Sequence, residues 1–319
     1  MQRGFARFVL GRAVQGVLFV LVVSSAALIL TQLAPGDYLS DLGADPTIVA
    51  AERHRLGLDR PLAVQYASWV GRAVRLDFGN SLKYQRPVAT LVAERAANTM
   101  ILGGCALVLA TAIAIIVGTL VGSGRGGLLA KIAGGVSIVL LSIPPLVTSF
   151  SLLLAAAVTG WLPVGGFPLG SRSGAGALMH DSRYLILPAL ALALPLAASL
   201  ERLQAGAIRE ALAQPSLLGA RARGIGPDRL LWRHAFRLSL GSILSIYGIV
   251  IATALSGSFA VEVVMSWPGL GALMYEALVA RDLFLVAGCA VAVSTFLAFG
   301  VFVSDLALAA ADPRRGDAS

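Results

Sequence analysis

Six stretches of this 319-residue chain are apolar for about 20 residues or more each, the length needed to cross a bilayer as a helix. They run from Ala13 to Leu33, Met100 to Val121, Ile132 to Val158, Leu185 to Leu203, Leu240 to Val264 and Leu283 to Ala309. Inside lipid every backbone N–H and C=O must be satisfied within the protein, so continuous apolar runs become helices. The chain is therefore expected to be an all-α integral membrane protein with six transmembrane helices. Composition agrees. The chain is 57% hydrophobic and 13% charged, with a mean hydropathy of +0.82, whereas soluble domains carry roughly 25% charged residues.

The arginines between the runs set the orientation. Arg3, Arg7 and Arg12 precede the first run. Arg125 and Lys131 occupy the short loop after the second. Between the fourth and fifth lie Arg209, Arg221, Arg223, Arg229, Arg233 and Arg237, against Glu210 and Asp228. Excess Lys and Arg in short loops marks the cytoplasmic side. Residues 1–12, the loop 206–238 and the tail 310–319 are thus read as cytoplasmic, with both termini inside. Residues 34–98 form an extracytoplasmic segment, where the charge rule does not apply because the loop exceeds ~60 residues. The net charge of +8 mainly encodes orientation, so anionic lipids are expected neighbours and nucleic acid is not. The first run is too long for a cleaved signal core, and Ala26-Ala27 is a weak cleavage site. It is read as a retained span at 13–33, ahead of a transmembrane core at 99–309.

The loop 206–238 is too long for a turn. Leu217, Leu218 and Ala220 to Ala222 favour helix, Gly224-Ile225-Gly226-Pro227 breaks it, and Leu230, Leu231 and His234 resume at helical spacing. The expected shape is a helix, a corner and a second helix re-entering the membrane. In residues 34–98, Val64, Tyr66, Trp69, Val70 and Val74 suggest an amphipathic helix lying on the membrane surface or on a partner. Pro144-Pro145 should bend the third span, as a packing kink or as a bend lining a pathway. Ser256, Ser258 and Glu262 in span five are further pathway candidates, although Gly248, Gly257 and the serines equally suit close helix packing. Glu201-Arg202 reads as an interface ion pair, with lining a passage as the alternative, and Asp305 as an interfacial cap or ion pair. Cys105 and Cys289 read as packing residues. His54, His180 and His234 are isolated, and no metal-ligand cluster is visible. The glycine-rich SGRGGLLAK lacks the Gly-Lys-Ser/Thr ending of a nucleotide loop.

Composition and spacing identify no substrate, but the residues resemble a family. Ala220-Arg221-Ala222-Arg223-Gly224, with His234-Ala235 and Arg237 following, is similar to the cytoplasmic motif of ABC importer permeases of the dipeptide, oligopeptide and nickel family. Leu56-Gly57-Leu58-Asp59, Pro61, Gln65-Tyr66 and Asp77-Phe78-Gly79-Asn80-Ser81 look like the external segment of its B-type, or first, subunit. Leu162-Pro163, Gly165-Gly166, Val261-Glu262, Pro268-Gly269-Leu270-Gly271, Arg281-Asp282 and Asp312-Pro313-Arg314 follow the same order. The chain departs from the family at Pro215-Ser216, Leu238 and Ser242. The resemblance implies a type I importer fold and no catalysis by this chain. Leu217, Ala220, Arg221, Ala222, Arg223, Gly224, Asp228 and His234 would form the ATPase-coupling loop. It further implies a second permease, two ATP-binding subunits that hold ATP and magnesium, and an extracytoplasmic binding protein. Peptides would be the cargo, with nickel or metal chelates as the alternative.

Two other classes have weaker support. An ion-driven transporter needs ionisable groups at mid-bilayer, whereas Glu201, Glu262 and Asp305 sit near span ends. An intramembrane serine hydrolase needs a histidine base, and none falls in a span.

Overall fold

The computed structural model describes residues 2–33, 46–57, 59–164 and 182–311. The Gly165-Gly166 and Asp312-Pro313-Arg314 fragments, Leu58 and His180 lie outside the described residues. In chain order the helices are α1 (Gln2–Leu33), α2 (Pro46–Leu56), α3 (Leu62–Ala73), α4 (Val88–Ser123), α5 (Gly127–Ser142), α6 (Pro145–Thr159), α7 (Arg183–Ala213), α8 (Pro215–Ala222), α9 (Pro227–Val264), α10 (Leu270–Val279) and α11 (Leu283–Ala311). Among the described residues there is no strand, only an isolated bridge between Asn80 and Pro87.

Five helices, α1, α4, α7, α9 and α11, are long and apolar enough to cross a membrane singly. Each contains one expected span and continues past it. With 36 residues, α4 is about 54 Å long against a hydrocarbon core of about 30 Å. Its first turns therefore project beyond the apolar layer. The expected third span is divided. At Ser142 to Pro145 the chain turns by 113° between α5 and α6. Ile143 is extended (φ −100°, ψ 119°), as a residue before proline is pushed to be. Pro144 follows at ψ 150° and Pro145 starts α6. The prolines thus end one helix and begin another, where a kink within one helix was expected.

The spine is the pair α4 and α7. A Cβ at Gly118 would stand 2.7 Å from the Glu201 carbonyl oxygen, and one at Gly122 would stand 2.5 Å from that of Ala205. Only a side-chain-free stripe lets these helices approach so closely. The main apolar core, including Leu102, Ala110, Leu192, Leu196 and Val261, lies along this spine. A second core at the end bearing residues 74–87, here the strap end, joins Leu28, Trp69, Phe78 and Leu285. A third lies under α8, at the elbow end. Across the helices, Gly257 packs on Leu192 and Pro145, and Gly248 on Val301 and Ser304.

The amphipathic helix expected around Val64 to Val74 is α3. Trp69 is buried and Tyr66 and Val70 are half-buried, against the end of α1 and the start of α11, whereas Val64 and Val74 are exposed. The Ser25 and Tyr66 hydroxyls share a 2.7 Å hydrogen bond, and Gln32 Nε2 donates to Gln65 Oε1 at 2.6 Å. Asp305 pairs with Arg12 at 3.2 Å. The expected pair Glu201–Arg202 does not form. Consecutive helical residues diverge by a quarter-turn or more, so Arg202 is exposed while Glu201 is 2% exposed. Neither Glu201 carboxylate oxygen has a hydrogen-bond partner among the described residues. One turn on, buried Gln204 donates to Thr119 Oγ1 (3.1 Å) and Ser239 Oγ (3.0 Å). Both cysteines are free thiols, Cys289 buried and Cys105 exposed.

Candidate functional site

The sequence of the 206–238 loop dictates its shape. Pro215 occupies the first turn of α8, where no N–H is needed. The helix ends in a complete αL cap. Gly224 N–H donates to the Arg221 carbonyl (3.0 Å), and Ile225 N–H reaches back to that of Ala220 (3.3 Å). Gly224 has φ +83°, a left-handed conformation that glycine adopts without a Cβ penalty. Gly226 and Pro227 then open α9, whose residues Leu230–Ala235 form a π-helical turn. Such a turn inserts an extra residue and re-aims the side chains around it. His234 sits there, half-buried.

This elbow has an apolar underside and a charged top. Leu217 and Ala220 are buried with Ile208, Ala211, Leu230, Leu231 and Ala235. Arg221, Ala222, Arg223 and Gly224 are exposed. So are the large apolar side chains Leu218 (52%) and Trp232 (46%). Neither Arg221 nor Arg223 has an acidic partner among the described residues. Asp228 is 91% exposed and accepts from Arg125 Nη1 of the α4–α5 loop at 2.9 Å. That bond ties the two loops of this end together. Of the eight residues of the expected coupling loop, Arg221, Ala222, Arg223, Gly224 and Asp228 are exposed and His234 is half-buried. The other two are buried anchors.

The pathway candidates distribute differently. Pro145 packs beside Gly257, with Ser258 buried next to it; Pro144 and Ser256 are exposed. Glu262 is fully buried at the strap end. Its Oε1 accepts from the Thr99 hydroxyl (2.8 Å), and its Oε2 from the N–H groups of Gly271 (2.6 Å) and Ala272 (3.3 Å). Thr99 Oγ1 in turn accepts from Leu270 N–H (2.8 Å). The carboxylate therefore sits on the N-terminus of α10, where exposed amides and the helix dipole favour a negative charge. The glycines of Pro268-Gly269-Leu270-Gly271 make room for it. A Cβ at Gly269 would lie 2.4 Å from the Glu262 carboxylate, and one at Gly271 would lie 2.7 Å from Phe259 Cα.

A second carboxylate clamp escaped the reading of the sequence. Asp282, fully buried, accepts from the Ser81 hydroxyl (2.6 Å), Lys83 N–H (3.1 Å) and Leu285 N–H (3.2 Å). It thereby fastens the strap, residues 74–87, across the start of α11. Lys83 and Tyr84 both engage Glu276 of α10. Burial first, then the hydrogen bond to Glu276, pushes the Tyr84 hydroxyl up to about 12. The signal lay in the fragments Asp77-Phe78-Gly79-Asn80-Ser81 and Arg281-Asp282. They look unrelated in sequence and meet only in the fold. Among the described residues, no group of three or more His, Cys, Asp or Glu is placed to hold a metal ion.

Residues 93–317 match the family described as binding-protein-dependent transport system inner membrane component, and residues 5–103 match its N-terminal companion. The chain is 31% identical to the oligopeptide transport system permease protein AppB of Bacillus subtilis, over 97% of this chain and 99% of that one. It is 31% identical to a putative peptide transport system permease protein of Brucella abortus (96% and 98% covered). It is 30% identical to a probable peptide ABC transporter permease protein of Sinorhizobium fredii (96% and 98% covered).

Proposed function

The chain belongs to the family of binding-protein-dependent transport system inner membrane components, and from that premise we propose that it imports peptides as one of two paired permeases. It is a multi-pass protein of the bacterial inner membrane and a permease subunit of an ABC transporter, with no catalysis of its own. In this reading the elbow end faces the cytoplasm, and α8 seats in a groove of an ATP-binding subunit. A second permease supplies the other half of the path and receives a second ATPase. ATP and magnesium are held by those ATPases. Closure of the ATPase pair pulls the two elbows together and reorients the path, a rigid-body change of the alternating-access kind. A binding protein docks at the strap end and releases peptide there. The peptide names of the relatives favour peptides over nickel chelates.

The observation that carries the proposal is the capped α8, with buried Leu217 and Ala220 beneath and exposed Arg221 and Arg223 above. An element so fixed below and so unpartnered above is shaped to transmit force from a second protein. Replacing Gly224 by isoleucine forces a β-branched residue into the left-handed region. The variant should still insert in the membrane but lose peptide uptake and co-purification of the ATPase that this elbow grips, the second permease retaining its own. Normal uptake with normal ATPase retention would overturn the reading.

A further inference from the structure

Between the ends of α1 and α3 and the start of α11, at the strap end, lies a cavity of about 260 Å³. Arg55, Arg60 and Arg72 line it, and no described lining residue is acidic. Leu28, Leu283 and Phe284 make its apolar wall, and the Arg72 guanidinium stands 5.6 Å from the Phe284 ring centroid. Asp59 faces His54 at 3.9 Å, and Asp77 accepts from Gly79 N–H. Neither Arg60 nor Arg72 has an acidic partner among the described residues. The backbone around Arg60 is fixed, because Gln65 Nε2 donates to its carbonyl at 2.8 Å and Gln32 holds Gln65 in turn. Arg55 has an interaction of its own, but Arg60 and Arg72 bring two like charges to one cavity, and these repel unless an anion lies between them.

We propose that this cavity binds the phosphate group of an anionic membrane phospholipid. Guanidinium forks match phosphate oxygens in geometry as well as charge. The cavity is smaller than the roughly 300–1,000 Å³ of ordinary ligand pockets, which suits a headgroup rather than a whole solute. Its position names the source. On the turns of α1 that supply Leu28 and Gln32, the neighbouring side chains Ile29, Leu30 and Leu33 are 43, 67 and 65% exposed, as lipid-facing residues are. The cavity therefore opens where α1 leaves the hydrocarbon, at headgroup depth.

The test uses the full transporter, stripped of lipid in detergent and titrated with phosphatidylglycerol, phosphatidylcholine or inorganic phosphate at matched ionic strength. Bound lipid is counted by native mass spectrometry, and protection is read as the shift in thermal midpoint. The unmodified protein should retain phosphatidylglycerol over phosphatidylcholine. The double variant Arg60→Gln and Arg72→Gln should bind it about thirty-fold more weakly, the product of two interfacial charges. Arg60→Lys with Arg72→Lys should keep most of the binding, and Arg75→Gln, whose exposed side chain does not line the cavity, should change nothing. Protection by inorganic phosphate equal to that by the lipid would keep the site but overturn its assignment to lipid. Unchanged lipid binding in the glutamine variant, or an equal loss in Arg75→Gln, would overturn the site itself. So would a glutamine variant that keeps its lipid but no longer docks the binding protein, since that makes the cavity a protein contact. If the glutamine variant does not fold, lipid retention by the unmodified protein that is indifferent to added salt overturns the proposal equally well.

Discussion

The two ends of the helix bundle are built on opposite plans. At the strap end two carboxylates, Glu262 and Asp282, are fully buried, and each accepts hydrogen bonds from three donors in this chain. Among the described residues the non-glycine positions with positive φ, Leu76, Gln85, Ser266 and Arg281, all lie there too. Such strained conformations cost on the order of 1–3 kcal/mol each and persist only where surrounding contacts over-determine them. At the elbow end the left-handed positions belong to Gly124, Gly127 and Gly224, which carry no such cost. The underside is a small apolar core, and one exposed ion pair, Arg125–Asp228, joins the loops. Internal bonds satisfy the two buried carboxylates of the first end, whereas the second leaves Arg221 and Arg223 exposed and without an acidic partner among the described residues. The contrast separates a platform that holds the helices in register from an exposed elbow, the handle of the function proposed above. Mutations at the platform should therefore act on stability, and mutations at the handle on transport.

The strongest way to break that contrast is Glu262→Ala. It removes the acceptor for Thr99, Gly271 and Ala272 while leaving the Thr99 and Gly271 donors buried. Losing one member of a buried charged network costs about 3–5 kcal/mol. The variant should unfold at a markedly lower temperature in detergent and accumulate poorly in the membrane. A stable Glu262→Ala protein with defective uptake would instead make Glu262 a pathway residue. Next comes Asp282→Asn, which keeps the volume but turns one acceptor atom into a donor facing the Ser81 hydroxyl and Lys83 N–H. A loss of about 2 kcal/mol is expected, read as release of the strap by hydrogen exchange at residues 81–85 before global unfolding.

How much of this was legible beforehand differs between the ends for a physical reason. The elbow is local. Leu217, Ala220, Gly224 and Pro227 lie within about three helical turns of sequence, so helix propensity and glycine–proline punctuation suffice to draw it. The spans were legible as well, because a lipid solvent imposes a long apolar run on each. The clamps are non-local. Asp282 meets Ser81 some 201 positions away and Glu262 meets Thr99 at a separation of 163, and no periodicity couples such positions. The break at Pro144-Pro145 was visible as chemistry but not as an angle. The Glu201–Arg202 pairing failed because adjacency along a helix separates side chains rather than joining them.

At the handle the expected stability effects shrink while the functional ones do not. Gly224→Ile should cost about 1–2 kcal/mol for a β-branched residue in the left-handed region, far less than Glu262→Ala, yet abolish uptake. Arg125→Ala breaks an exposed ion pair and should lower stability by under about 1 kcal/mol. A larger loss would mean that the two loops of this end form one cooperative unit with the bundle.

The smallest effect on stability is expected from the double substitution Arg221→Ala and Arg223→Ala. Both side chains are exposed on α8 and its cap, and neither has an acidic partner among the described residues. Alanine is the better helix former, so the thermal midpoint should shift by no more than about 0.5 kcal/mol in equivalent stability. If the guanidinium groups meet acceptors on an ATPase, the variant should nevertheless lose peptide-stimulated ATP hydrolysis by the reconstituted complex, while the unmodified elbow of the second permease still retains one ATPase. That pairing of near-zero destabilisation with loss of coupling is what the unused charges require. A double variant that couples normally would mean that the grip is apolar, through exposed Leu218 and Trp232, and that the arginines serve only to keep this end in water.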